Sequence, residues 1–328
     1  MAEDDENIDK TEESDDKGIF IDLKTDFGFK KTFHDNEEAV ISFLNAVMSK
    51  KRKERKERIE SITFLSVEIT GDKEEDRHAI VDVYCRTNTE EYFIVEMQFA
   101  RPMNFINRLA VYILRAGGMQ VPRRGVKQGG DGEKMVPWHY EMKAIYVIAI
   151  TNFPMFTSKS AKYKNIVVDR LCLISSITKN IASDIINILF VDLTRFNKTP
   201  AELKTTLDYW LYTFKYAKTL TECPKEIKDD FFKNLYDNIL RTNKLNPKEM
   251  QEYRESLKQN RDLSIFTDYS RMEGIALGKA EGKAEVVLSL AENGFPAESI
   301  ALFTKLSVEQ VRTILRNKKM KTNSASTE

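Results

Sequence analysis

Two stretches alternate apolar and polar residues and face each other across a short polar loop: "IVDVYCRT" at 80–87 and "EYFIVEMQF" at 91–99. Period two is the mark of β-strands, so these predict a hairpin over 79–86 and 91–99. A third strand is predicted just upstream in "SITFLSVEIT" at 61–70. Before it, a helix-start signal at Thr25 or Asp26 is followed by Ile41, Leu44, Val47 and Met48 at helical spacing, which reads as one or two helices. Downstream, Phe105, Leu109, Tyr112 and Ile113 form one stripe of an amphipathic helix that Gly117-Gly118 ends. "KAIYVIAITNF" at 143–153 is continuously apolar, as in a strand buried on both faces. Further strands are expected in "NIVVDRLCLI" and "INILFVDL", and helix from Pro200 onward, with Trp210 in its core stripe.

The order is therefore helix, three strands, helix, strand: an α/β fold with an αβββαβ core and a mixed sheet, followed by an α-helical C-terminal region. The connection from the third strand to the fourth is long enough to be a crossover helix, which makes that pair parallel. The organisation expected is a disordered acidic tail at 1–18, a main domain at 19–220, a helical extension or linker at 221–290, a small helix-turn-helix-like element at 291–320, and a tail at 321–328. Ser307 and Gln310 form a capping-box pair that starts the last helix. Residues 121–141, rich in Gly and basic residues, read as an exposed, mobile loop.

Composition narrows the picture little. The 328 residues carry 51 Lys+Arg and 51 Asp+Glu, a formal charge of zero. Basic clusters at 50–58 and 316–321 keep a polyanionic partner open. Three scattered cysteines suggest a reducing compartment with no disulfide framework. No signal peptide and no membrane-length apolar run is visible, so a cytoplasmic protein with no membrane partner is expected. P-loop, dinucleotide, zinc-type and Gly-x-Ser-x-Gly patterns are absent from the sequence.

The candidate chemistry lies in the hairpin. Pairing its strands about Thr89 sets Asp82 opposite Glu96, Tyr84 opposite Ile94 and Ile80 opposite Gln98, all on one face. Val81, Val83, Val95, Met97 and Phe99 share the other. Two directly opposed carboxylates repel unless one is protonated or a cation lies between them. Mg²⁺ suits such a pair and keeps waters of its own, one of which can be activated against a phosphodiester. Gln98 would touch that water or the phosphate. The competing reading is a solvated sheet face, common in antiparallel sheets.

With its flanks included, the chain resembles the Rpn-type recombination-promoting nuclease/transposase family of bacteria, within the PD-(D/E)XK nuclease superfamily. "KTDFGFKKTF", "AVISFLNAVM", "VDVYC", "YFIVEMQ", "FINRLAVYI", "YVIAITNF" and "DYWLYTFK" carry the resemblance, in the family's order, over roughly residues 23–215. It implies a restriction-endonuclease-like core and metal-dependent endonuclease chemistry on double-stranded DNA of mobile elements, with Mg²⁺ or Mn²⁺ as cofactor. It also implies Asp82 and Glu96 as metal ligands and Gln98 in place of the superfamily's usual lysine. Asp26 matches the family's early Asp, for which N-capping is an equally good explanation. Gln98 lacks the lysine's charge, which Lys30, Arg101 or Arg108 could supply. Arg123, Arg124 and Lys127 suit either a DNA clamp or ordinary loop solubility. Double-strand cutting would require a homodimer or two sequential nicks. The alternatives to a nuclease are a catalytically lapsed relative that only binds DNA, and a helical interaction or scaffold protein.

Overall fold

The computed structural model describes residues 19–48, 58–69, 79–121, 126–128, 134–136, 140–156 and 164–324. The acidic tail, most of the 50–58 basic run, Arg123 and Arg124 lie outside them. The chain forms two compact units, Met1–Asn260 and Arg261–Glu328.

The first unit opens with α1 (Asp26–Phe33) and α2 (Glu37–Val47). Thr25 is the N-cap of α1: its hydroxyl accepts from the Gly28 N–H at 3.0 Å and donates to the Asp22 carbonyl at 2.7 Å. Asp26 is therefore the first helical residue, and the N-capping reading of it is corrected. Thr25 wins because its hydroxyl can donate and accept at once. Gly28 is required at its position, since a Cβ there would stand 2.2 Å from the Asp22 carbonyl oxygen.

Strands β1 (Ile62–Phe64), β2 (Glu68–Ile69), β3 (Ala79–Ile80), β4 (Val83–Thr87) and β5 (Tyr92–Gln98) follow, then α3 (Phe105–Gly118). β6 (Val126–Gln128) and β7 (Lys134–Val136) pair antiparallel, Val126 opposite Val136. The expected loop at 121–141 thus contains a short pair of antiparallel strands. β8 (Ile145–Thr151) is buried throughout, as its apolar run predicts. β9 (Val168–Ile174) and β10 (Ile181–Asp192) complete a six-stranded sheet in the order β1-β4-β5-β8-β10-β9. The β5–β8 and β8–β10 pairs are parallel and the others antiparallel. The crossover through α3 is the one expected from its length.

The hairpin register is the expected one where the ladder is continuous, with Tyr84 opposite Ile94 and Val83 opposite Val95. Two strand expectations need correction. The stretch 61–70 divides into β1 and β2, and 79–86 breaks at Asp82. Beyond the break, Ala79 and Ile80 pair with Ile69 and Glu68 in a separate small sheet, so Ile80 does not face Gln98. Val81 moves to the opposite side of the sheet from Val83, packing beside Ile69 and Tyr84.

Side-chain alternation divides the core. One face of the sheet, with Val83, Cys85, Phe93, Val95 and Met97, packs on α1, α2 and α4 (Thr206–Tyr216), where Phe33 stacks on Trp210 and Phe214 and Phe43 meets Trp210 edge-on. The other, with Tyr84, Ile94, Val147 and Phe190, packs on the α3 stripe of Phe105, Leu109, Tyr112 and Ile113. The main core also takes in Phe232, Leu235 and Tyr236, from α5 (Asp230–Asn234) and the turn after it.

The helix α6 (Pro247–Glu292) contains the Gly-Lys-Ala-Glu repeat as exposed helix. Within the second unit its end packs with α7 (Ala297–Thr304) and α8 (Val308–Ser324) around Val287, Ile300 and Val311. The Ser307–Gln310 capping box is formed, at 2.9 and 3.1 Å.

Candidate active site

Asp82 occupies the break between β3 and β4. Its Oδ2 accepts a hydrogen bond from the backbone N–H of Met97 at 2.8 Å. Continued to this point, the ladder would place residue 81 opposite Met97. The carboxylate takes the bond that a backbone carbonyl would have taken, which explains why the strand is interrupted here.

Glu96 projects from β5 toward α3 and is 1 % exposed. The solvated-face reading is corrected for Glu96, which the apolar stripe of α3 covers, while Asp82 and Gln98 stay partly exposed. Gln98, two residues on and on the same face, donates from Nε2 to Glu96 Oε2 at 3.0 Å. Arg108 reaches from α3 to the same oxygen at 3.4 Å, with its side chain 42 % exposed. Its Nε donates to the Tyr112 hydroxyl, and its guanidinium carbon lies 5.5 Å from that ring's centre. The Tyr112 hydroxyl in turn lies 3.5 Å from the Ile80 carbonyl, beside the break. The other Glu96 oxygen, Oε1, is buried with no hydrogen-bond partner.

Burial pushes the Asp82 carboxyl up to about 6. The Met97 N–H opposes this, the Asp26 charge adds to it, and Lys30 and Arg108 draw it down. Burial, and next the charge of Asp82, pushes Glu96 up to about 8, against the pull of Arg108 and Gln98. Asp26 and Lys30 on α1 are thus within electrostatic reach of Asp82. Asp26 itself is exposed and paired with Lys30 at 2.9 Å.

Sequence-predicted residues thus separate into groups. Asp82, Glu96, Gln98 and Arg108 come together. Asp26 and Lys30 stand at the margin, Arg101 is exposed, and Lys127 lies on β6. Tyr112 reads from the sequence only as part of an apolar stripe. The available signal was its i,i+4 spacing from Arg108, together with the need of a buried tyrosine hydroxyl for a partner. Cys85 is buried and its thiol is pushed up to about 12 by burial, in keeping with a packing role.

Among the described residues no group of three His, Cys, Asp or Glu side chains is placed to hold a metal ion. The residues that could hold one are Asp82 and Glu96. A half-buried carboxylate whose charge raises the proton affinity of a buried one, the latter with an oxygen left without a partner, suits a hard divalent cation that brings waters of its own.

No helix among the described residues is long and apolar enough to cross a membrane. Comparison with curated proteins and with solved structures gives no match. Residues 23–270 match the PD-(D/E)XK nuclease family transposases. The six-stranded mixed sheet flanked by helices is consistent with that family's fold. The chain belongs to the PD-(D/E)XK nuclease family transposases.

Proposed function

We propose that this protein is a Mg²⁺-dependent DNA endonuclease that hydrolyses phosphodiester bonds of double-stranded DNA in the movement or recombination of mobile elements. The observation that carries this reading is buried Glu96 set beside half-buried Asp82, with Glu96 Oε1 unpartnered. Two neighbouring acids, one of them buried, cost stability unless a proton or a cation relieves them.

Asp82 and Glu96 would hold the cation, for which Mn²⁺ can substitute. When bound, it supplies Lewis-acid stabilisation of charge on the phosphate and a lowered pKa for an attacking water. The Met97 N–H fixes Asp82 Oδ2, leaving Oδ1 for the ion. Gln98 presents amide hydrogens beside Glu96, where a non-bridging phosphate oxygen can accept them. Arg108 brings the positive charge that Gln98 lacks, held by Tyr112, to where negative charge grows during attack. Lys30, Arg101 and Lys127 are proposed to contact the DNA backbone, with Asp26 as an outer polar partner of the site.

A second reading, a relative that binds DNA without cutting it, draws on the absence of a third ligand among the described residues and on glutamine in the place of lysine. Supercoiled plasmid incubated with Mg²⁺, with EDTA, and with Asp82→Ala and Glu96→Ala variants separates the two. Metal-dependent nicking lost in both variants supports the endonuclease. Salt-sensitive binding with no nicking in Mg²⁺ or Mn²⁺ supports the second reading. Linear product appearing without a nicked intermediate would point to a homodimer cutting both strands.

A further inference from the structure

Helix α6 begins within the first unit, and the stripe it turns to α1 there is polar. Glu249, Tyr253, Ser256 and Asn260 recur at intervals of four, three and four residues, the spacing of one helix face. A stripe with that spacing is ordinarily apolar. Here each side chain makes a polar bond to α1 or to the segment 22–25 that leads into it. Glu249 pairs with Lys31. The Tyr253 hydroxyl accepts the Asp22 N–H at 2.9 Å, and Asn260 Nδ2 donates to the Lys24 carbonyl at 3.1 Å. Ser256 Oγ accepts the Phe27 N–H at 3.2 Å. Tyr253 and Ser256 are buried, and all of these residues belong to the first unit.

Ser256 reaches the helix itself. The first N–H groups of a helix have no partner within it. Thr25 serves that of Gly28 from the preceding turn, and Ser256, 229 positions away in the chain, serves that of Phe27. The Phe27 N–H belongs to the planar peptide that joins Asp26 to Phe27. Holding it fixes the direction in which Asp26 leaves the backbone and, one turn on, that of Lys30. Those two side chains pair at 2.9 Å, and their charges act on Asp82. The other three contacts already hold α6 to this segment. What the Ser256 hydroxyl adds is the orientation of one peptide at the start of α1.

We propose that Ser256 is a positioning residue: by accepting the Phe27 N–H it sets the first turn of α1 and holds Lys30, with Asp26 beside it, at the margin of the carboxylate pair. Its effect on cutting rests on the endonuclease reading. Its effect on DNA binding rests only on Lys30 meeting the DNA backbone.

The test uses the full chain with Ser256→Ala, which loses the acceptor, and Ser256→Thr, which keeps it, each alone and combined with Lys30→Gln. Ser256→Ala should slow single-turnover nicking with Mg²⁺ about tenfold at saturating enzyme, the scale of a slightly misplaced group. The salt dependence of its DNA binding in EDTA should fall by up to about one phosphate contact. Ser256→Thr should nick within about twofold of the wild-type rate. In the Lys30→Gln background, Ser256→Ala should add little to either loss, because the group it positions is already gone. Hydrogen exchange of the Phe27 amide, read in ¹⁵N-phenylalanine protein and assigned by its loss in Phe27→Leu, should quicken in Ser256→Ala and stay slow in Ser256→Thr. Losses from Ser256→Ala and Lys30→Gln that simply add would overturn the proposal, as would wild-type nicking and binding by Ser256→Ala. A Ser256→Thr protein that loses function while its Phe27 amide stays protected would overturn it as well. Coupled losses in binding, with a wild type that never nicks, would uphold the positioning of Lys30 and reject the endonuclease reading. A wild type that neither binds nor nicks duplex DNA would overturn both.

Discussion

Asp82 accepts the Met97 backbone N–H at 2.8 Å, and this one bond interrupts a strand and fixes a carboxylate beside Glu96. It implies that the two functions of Asp82 can be separated. Asp82→Asn keeps an acceptor for Met97 and should fold with a melting temperature near wild type. Nicking should nevertheless fall on the order of 100-fold or more, because a bound metal supplies several kcal/mol of transition-state stabilisation. Asp82→Ala should lose both activity and stability, since the Met97 N–H is left without its partner. Thermal melts alongside plasmid nicking check this, and an active Asp82→Asn would remove Asp82 from the metal site.

Buried Glu96 makes metal-free stability depend on pH in a direction opposite to that of a salt-bridged acid. Glu96 titrates at about 8 in the folded chain, against 4.5 for the free side chain. The folded state therefore binds the proton more tightly than the unfolded state. The stability this contributes is fully present below pH 4.5 and is lost as pH rises through 8. In EDTA, the wild type should be less stable at pH 9 than at pH 5, and Glu96→Gln should flatten that decline. At about 1.36 kcal/mol per pKa unit, the variant should gain a few kcal/mol on wild type at the alkaline end. Parallel denaturation midpoints for the two proteins from pH 5 to 9 would contradict it.

Much of this site was legible from local pattern. The placement of Glu96 and Gln98 on one face follows from strand alternation, and the Tyr84–Ile94 register from the loop position. The α3 stripe and the Ser307–Gln310 box are likewise local. The break at Asp82 was not legible, because residues 79–86 contain no Gly or Pro and the interrupting bond comes from a residue 15 positions away. The cover over Glu96 was also hidden: alternation shows which residues share a face, but not whether a helix lies on it.

Gly28 offers a test of how α1 is seated. Replacing an interior helical glycine by alanine ordinarily stabilises by about 1 kcal/mol. Here a Cβ would lie 2.2 Å from the Asp22 carbonyl oxygen and 2.9 Å from the Thr25 hydroxyl. Backbone must move, so Gly28→Ala should destabilise by about 1–3 kcal/mol or more. Nicking should weaken as well, because α1 carries Asp26 and Lys30 near Asp82. Urea denaturation gives the sign directly, and a stabilised Gly28→Ala would mean that α1 starts elsewhere.

Arg108 touches Glu96 at 3.4 Å while its Nε is held by Tyr112, so its charge and its orientation are distinct contributions. Lysine carries the charge but cannot form both contacts from one planar group. Arg108→Lys should therefore lower the nicking rate about tenfold, and Arg108→Ala about 100-fold, the scale of losing one preorganised stabilising donor. Tyr112→Phe removes only the hydroxyl and should cost less than either. Its effect should largely vanish in an Arg108→Lys background, because the group it orients is already gone. If Arg108 instead served only to grip DNA, its removal would weaken affinity and reduce the salt dependence of binding by about one phosphate contact, while sparing the rate at saturation. A double-mutant cycle read at saturating enzyme, with affinity followed across salt, tells the two apart. Additive losses from Tyr112→Phe and Arg108→Lys would show that the tyrosine does not act through the arginine.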